Sequence, residues 1–237
     1  MLAALRPWRH RTHDFLLAAL VRATLIVLRL LPLSLALPLS RALAFMVFCL
    51  STRDRSRAIA QLQEMLELTP TQARRTAREV FERIGEGVIE LLHLPVRDPG
   101  LERSVRVEGL HHLTAALEQG KGAIWMTGHL GNWELMAMKM AALGVPFQVV
   151  ARRVNYPRLD RMLTAFRERH GVHALMRGED TSPASLARTL SAGHVLGILV
   201  DQATRVPGLP IPFFGRAAHT PSGAARLALH TGAPVLI

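Results

Sequence analysis

The chain has 237 residues, 49% of them hydrophobic, and carries 29 Lys and Arg against 18 Asp and Glu, a formal net charge of +11. That length supports one sizeable domain with its own core plus an appendage, and the cationic excess favours an anionic partner: nucleic acid, an acidic lipid surface or an acidic protein. Aromatic residues make up only 5%, which argues against a single-strand nucleic-acid binder built on stacking platforms, and a lone cysteine, Cys49, excludes an internal disulfide and suits a reducing compartment.

Residues 15–50 form a long apolar tract interrupted by Arg22, Arg29 and Arg41 and by Pro32 and Pro38. No small-residue cleavage pattern follows its first part, which argues against a cleaved signal peptide. The two prolines are expected to break the tract in its middle, so it is not a uniform spanning helix. Arg22 and Arg29, seven apart, share nearly one helical face, as in a helix lying in a membrane interface. Basic flanks at Arg6, Arg9 and Arg11 and at Arg53, Arg55 and Arg57 disfavour export of either end. The expected arrangement is a shallow hairpin or interfacial helix pair with both ends cytoplasmic. A single spanning helix with snorkelling arginines and an ordinary buried helix pair stay open.

Residues 53–68 carry Ile59, Leu62, Met65 and Leu66 at helical spacing. Thr69-Pro70-Thr71-Gln72 starts a further helix, with Thr as N-cap, Pro at N1 and Gln at N3, predicted to run to about Leu94. From residue 105 the pattern alternates. Strands are predicted at Ala123–Thr127, Phe147–Ala151, Val195–Val200 and Val235–Ile237. Helices are predicted at Trp133–Leu143, Pro157–His170, Ala184–Ala192 and Pro221–His230, the last capped by Thr220. Strands alternating with helices of about ten residues imply an α/β fold, a layered mixed sheet flanked by helices. The chain stops inside an apparent strand, so a C-terminally incomplete domain is expected.

The stretch Thr127-Gly128-His129-Leu130-Gly131-Asn132-Trp133-Glu134 lies where a buried strand ends and a helix begins. Ligands of open α/β sheets bind outside the carboxyl ends of strands. The helix N-terminus offers unpaired N–H groups to an oxyanion. Five-residue spacing within one helix would put His129 and Glu134 about 140° apart, so the two can meet only if His129 lies in the turn before the helix. A carboxylate on one ring nitrogen would fix the tautomer and raise the basicity of the other. The spacing alone serves equally a hydrogen-bonded strand-end histidine with Glu134 as a first-turn acid.

In this order, the blocks GHLGNWE, Ala151-Arg152-Arg153 with Pro157 and Leu159-Asp160, Arg177-Gly178, Val200-Asp201-Gln202, Pro212-Phe213-Phe214-Gly215 with Thr220-Pro221, and Ala225-Arg226-Leu227-Ala228 through Pro234 give the chain its resemblance. It is similar to the lysophospholipid-type acyltransferase superfamily, in particular the late acyltransferases of lipid A biosynthesis, over most of residues 53–237. The resemblance implies a glycerolipid-acyltransferase-like fold. Residues 1–52 would be a basic N-terminus and membrane-attachment segment, and 53–237 the acyltransferase domain, with a helical lead-in at 53–104 and an α/β core at 105–237.

It also implies transfer of a fatty acyl chain from acyl carrier protein to a hydroxyl of a phosphorylated glycolipid, a lipid A precursor, at the cytoplasmic face of the inner membrane. His129 would be the general base and Glu134 its orienting partner. Arg152 matches an arginine that meets acceptor phosphates. Arg153 stands where the family commonly has a proline, so either arginine could serve. Arg177, Asp201 and Gln202 would shape the same face, or merely form turns. Phe214 and Gly215 lie in a motif-bearing loop near the acceptor, or in an apolar plug. No cofactor is implied. His111-His112 and His170 with His173 lack companions at zinc-site spacing, so no metal site is expected, and neither a nucleotide-cradling loop nor a nucleic-acid partner is indicated. Two rivals remain: an acyltransferase for another acceptor, such as a phosphatidylinositol mannoside or a lysophospholipid, and a non-catalytic lipid-binding protein of the membrane surface.

Overall fold

The computed structural model describes residues 6–93, 105–202 and 206–237. Residues 94–104, the end of the expected helical lead-in, lie outside the described residues, as do the side chains of Arg6, Arg9 and Arg11. The chain divides into two compact units, residues 19–94 and residues 1–18 together with 95–237.

The first unit is helical. Helix α1 (Arg6–Leu30) enters it, and α2 (Leu33–Leu50), α3 (Thr52–Leu66) and α4 (Pro70–His93) complete it. Pro32 separates α1 from α2 and accepts the first bonds of α2 from the N–H groups of Leu35 and Ala36, each at 2.9 Å. Pro38 departs from expectation. It lies inside α2 without ending it, because a proline one turn into a helix removes a single backbone bond that the neighbouring turns can absorb. The cap of α4 is as read from the sequence: Thr69 N–H donates to Gln72 Oε1 at 3.0 Å and Gln72 N–H to Thr69 Oγ1 at 3.4 Å. Small residues let α2 and α4 approach closely. A Cβ on Gly85 would stand 3.1 Å from both the Ser40 carbonyl oxygen and the Ala44 side chain. Leu28, Ala36 and Ile89 form the buried centre. The 18-residue helix α2 is long and apolar enough to cross a membrane by length and composition, and Leu33, Leu35, Phe45, Met46, Val47 and Leu50 on it are exposed.

The second unit is the expected α/β layer. After α5 (Leu110–Leu117), strands and helices alternate: β1 (Ala123–Thr127), α6 (Trp133–Ala142), β2 (Phe147–Ala151), α7 (Pro157–Arg169), β3 (His173–Met176), α8 (Pro183–Ser191) and β4 (Val195–Leu199). A hairpin of β5 (Gly208–Phe213) and β6 (Arg216–Pro221) follows, then α9 (Gly223–Thr231) and β7 (Val235–Leu236). The five-stranded sheet runs β3-β2-β4-β1-β7 with every pair parallel. The mixture of strand directions comes from the separate antiparallel pair β5–β6. Ile124, Leu190, Leu196, Ala224, Leu227 and Ala233 pack the layer between sheet and helices.

One expected helix start moves, and two elements were not expected. Helix α9 starts at Gly223 after Ser222 rather than at Pro221 after Thr220, because Thr220 and Pro221 are engaged as strand residues opposite Leu209 and Gly208. Strand β3 and helix α5, only four and eight residues long, are too short for a periodicity to stand out.

Candidate active site

In a parallel sheet every strand delivers its carboxyl end to the same edge, and the residues just beyond those ends meet there. Thr127 of β1 opposes Leu199 of β4, so His129 and Asp201, each two residues further on, face one another. Ala151 of β2 opposes Met176 of β3, which sets Arg152 beside Arg177. Thus β1 to β4 all deliver a candidate residue to one edge.

His129 lies in the turn between β1 and α6, outside the helix that carries Glu134. Asn132 ends that turn: its side chain accepts a bond from Leu135 N–H at 3.2 Å, capping α6. Gly131 makes the turn possible with φ 56°. The carboxylate of Asp201 grips His129 twice, accepting from its main-chain N–H at 2.8 Å through Oδ2 and from ring Nδ1 at 2.8 Å through Oδ1. Gly128 leaves room for this, since a Cβ there would lie 3.3 Å from the Asp201 Cγ. Partial burial pushes the Asp201 carboxyl up, but the bonds from the His129 main chain and ring outweigh it, and the group sits below the usual carboxylate range. With Nδ1–H committed to Asp201, the lone pair on Nε2 is the basic position of the ring. The amide nitrogen of Gln202 stands 3.3 Å from it, and the Trp133 ring meets the imidazole edge-on at 4.8 Å between centroids.

Glu134 has a different partner. Both its carboxylate oxygens are taken by Arg167 of α7, one by Nε at 2.9 Å and the other by Nη2, and both side chains are largely buried. The structure therefore joins His129 to Asp201 and Gln202, and Glu134 to Arg167. Arg167 was missed by sequence reasoning. It lies seven residues after Asp160 on α7, so both polar groups share the inward face of an amphipathic helix, a placement that itself calls for partners.

The two neighbouring arginines separate cleanly. Arg153 is clamped by Glu179 at 2.6 Å from both Nε and Nη2, and by Asp160 at 2.8 Å. These hydrogen bonds hold the guanidinium charged and draw the Glu179 carboxyl down. Asp160 also accepts Val154 N–H at 2.8 Å, and this bond leads in holding its carboxyl below the ordinary value. Arg152 instead lines a cavity of about 700 Å³ that also reaches His129, Glu134, Arg167, Arg177 and Gln202. This volume is in the range of pockets that bury most of a small ligand, roughly 300–1,000 Å³. Arg226 of α9 lines it too, and sequence reasoning gave it no role. No carboxylate pairs with the Arg152, Arg177 or Arg226 side chain among the described residues. The cavity floor is apolar: Met136, Ala137, Phe147, Val149, Gly197 and Ile198. Phe147 packs over Gly197, where a Cβ would stand 2.7 Å from the ring. Phe214 and Gly215 are not brought to the cavity. They form the tip of the β5–β6 hairpin, with φ of 49° and 72°. Among the described residues no group of three or more His, Cys, Asp or Glu could hold a metal ion.

The sequence pattern of the bacterial lipid A biosynthesis acyltransferases matches residues 6–237. The chain belongs to that family. Among its curated relatives, a phosphatidylinositol mannoside acyltransferase of Mycolicibacterium smegmatis is 32% identical over 147 residues, which cover 61% of this chain and 48% of the relative. The protein of the same description from Mycobacterium tuberculosis is 32% identical over 132 residues, 55% of this chain and 42% of the relative. This family member thus spans about half the length of the curated relatives it matches.

Proposed function

We propose that this chain is an acyltransferase that moves a fatty acyl group from a thioester to a hydroxyl of an anionic glycolipid at a membrane, with His129 as general base and Asp201 as the group that orients it. The observation that carries this reading is the grip of Asp201 on His129, which commits Nδ1–H and leaves Nε2 facing the cavity. A substrate hydroxyl sitting where the Gln202 amide now approaches would give its proton to Nε2. Its oxygen would attack the thioester carbonyl, and the oxyanion would meet the N-terminal end of α6. Collapse of the intermediate would expel the thiolate, which takes the proton back from the imidazolium. No acyl-enzyme is required, because a thioester is already activated.

The apolar floor from Met136 to Phe147 suits an acyl chain, and Arg152, Arg177 and Arg226 suit a phosphate, which a guanidinium can bind bidentately. In this reading Glu134 supports the cavity wall through Arg167 rather than the imidazole. Acyl carrier protein is the donor proposed, being acidic against a chain of net charge +11. The family favours a lipid A precursor as acceptor, on the cytoplasmic face of the inner membrane, while the relatives favour a phosphatidylinositol mannoside. Both acceptors are phosphorylated glycolipids, so the cationic cavity fits either.

The test is incubation of purified protein in detergent with acyl carrier protein bearing a labelled acyl chain, and each acceptor separately, followed by lipid mass spectrometry. One added acyl chain on one acceptor names the reaction, and its loss in His129→Ala assigns the base. No acyl addition to either, with both lipids still bound, would point to the non-catalytic lipid-binding alternative. Turnover retained in His129→Ala would refute the mechanism.

A further inference from the structure

Among the described residues the hairpin β5–β6 pairs with no strand of the five-stranded sheet. Leu209, Ile211 and Phe213 alternate along β5 and so share one face. They are 59%, 44% and 63% exposed, and Phe214 at the tip is 57% exposed. Phe213 opposes Arg216, so Phe214 and Gly215 close a two-residue turn in which both φ angles are positive.

The intervening residues, Pro210 and Pro212, decide what such a face can meet. In an antiparallel ladder the N–H and C=O of one residue point together, toward the partner strand or away from it. Proline has no N–H, so the ladder donors of β5 must be Leu209, Ile211 and Phe213, and beyond Gly208 at its start the outward edge carries no donor. An edge with two of its three outward residues proline is a poor template for a further strand, which disfavours a second chain adding itself there.

Charge points the same way. After Asp201 the sequence contains no Asp or Glu, while Arg216 follows the tip directly and Arg226 follows the hairpin. At the other end, the flanks of the hairpin, Val206, Pro207, Pro221 and Ser222, line the cavity that holds His129.

We propose that the β5–β6 hairpin is a membrane-insertion wedge: its apolar face and Phe213–Phe214 tip enter the interface of an anionic bilayer, bringing the mouth of the cavity to the lipid. A lipid could then enter the cleft without crossing water. This inference concerns where the cleft opens and not what reaction occurs in it, so it is independent of the acyl-transfer reading.

Site-specific fluorescence on the full chain tests it. With Cys49→Ala as background, single cysteines at Phe214→Cys, Ile211→Cys and Gln119→Cys carry an environment-sensitive dye. The protein is reconstituted in vesicles of phosphatidylglycerol and phosphatidylethanolamine containing nitroxide-labelled lipid. Gln119 is exposed in the turn leading into β1, at the opposite end of the parallel sheet. Lipid nitroxides should quench the dye at 214 and 211 at least about twofold more than at 119, as expected for side chains in the interfacial layer. Equal quenching at all three positions would overturn the proposal. So would a dye at 214 shielded from aqueous iodide yet not quenched by lipid, which would mean that another protein surface covers the face.

Discussion

Asp201→Asn separates the two carboxylates that could serve His129. Asp201 now accepts two hydrogen bonds at 2.8 Å, from the main-chain N–H and from Nδ1–H of the same residue. Asparagine has one accepting arm and one donating arm. If its oxygen stays on the main chain, its amide faces Nδ1, which must then accept, and the ring proton moves to Nε2, the atom that has to take the substrate proton. If the amide flips, it opposes the main-chain N–H and the turn has to shift. Either way the population of competent base falls, and kcat should drop by about 10²–10⁴, the usual contribution of a positioned general base. That equals roughly 3–5 kcal/mol of transition-state stabilisation. The melting temperature should move little, because the Asp201 side chain is 41% exposed. Glu134→Gln should behave in the opposite sense. It leaves Arg167 without its counter-charge in a largely buried site, so stability should fall by roughly 3 kcal/mol, while kcat of the folded protein falls less than about tenfold. Single-turnover acylation and thermal unfolding on the same preparations measure both. A loss of kcat in Glu134→Gln as large as in Asp201→Asn, at unchanged melting temperature, would refute the assignment.

Gly128→Ala should push the Asp201 carboxylate from its 3.3 Å approach and lower kcat by about tenfold or more, since misplacements near 1 Å can cost about 10²; unchanged turnover would show that the loop yields freely. Phe147 lines both the large cavity and a smaller one of about 300 Å³ at the amino ends of the strands, so Phe147→Ala should shift the product toward longer acyl chains, measured by mass spectrometry with mixed donors. This variant costs roughly 3–5 kcal/mol of stability, and an unchanged chain profile in folded protein would remove Phe147 as the stop. Asp160→Asn weakens the acceptor for Val154 N–H and the Arg153 pair. Because the folded-state pKa of Asp160 is depressed, its contribution is present above the ordinary carboxylate pKa and lost as pH falls through the lowered value. The stability gap between wild type and variant should therefore be full near neutrality and close as pH drops below about 4, in urea titrations at several pH values.

The strand–turn–helix unit from Ala123 to Ala142 was legible because each signal in it is local. A buried apolar run and two glycines fall within a few residues of His129 and allow it to precede the helix, where Asn132 then caps α6. The partner of His129 was not legible, because it depends on strand order. β4 inserts between β1 and β2 in the sheet, and nothing local to Asp201 announces that its strand lies beside the one bearing His129, 72 residues earlier. The nearer acid, Glu134, was the natural candidate from spacing, and the pairing with Arg167 became visible only once α7 was packed. The hairpin was hidden differently. Leu-Pro-Ile-Pro-Phe has the two-residue alternation of a strand, but proline normally counts against one. Here both prolines fall at outward positions, where no ladder donor is needed.

These cases share a cause. A parallel sheet gathers residues that stand one or two places beyond strand ends, and where the strand itself is legible that offset can be read in the sequence: His129 after Thr127, Arg152 after Ala151, Asp201 after Val200; Arg177 after Met176 becomes visible only with β3. Those edge residues that follow a strand legible in the sequence are thus accessible from the chain alone. Which of them touch is set by register between strands distant in sequence, and the register opposing Thr127 to Leu199 makes Asp201, not Glu134, the carboxylate at His129. A shift of one residue between β1 and β4 would turn the following side chains to opposite faces and break that pair, so the sheet register is itself part of the catalytic geometry proposed for this chain.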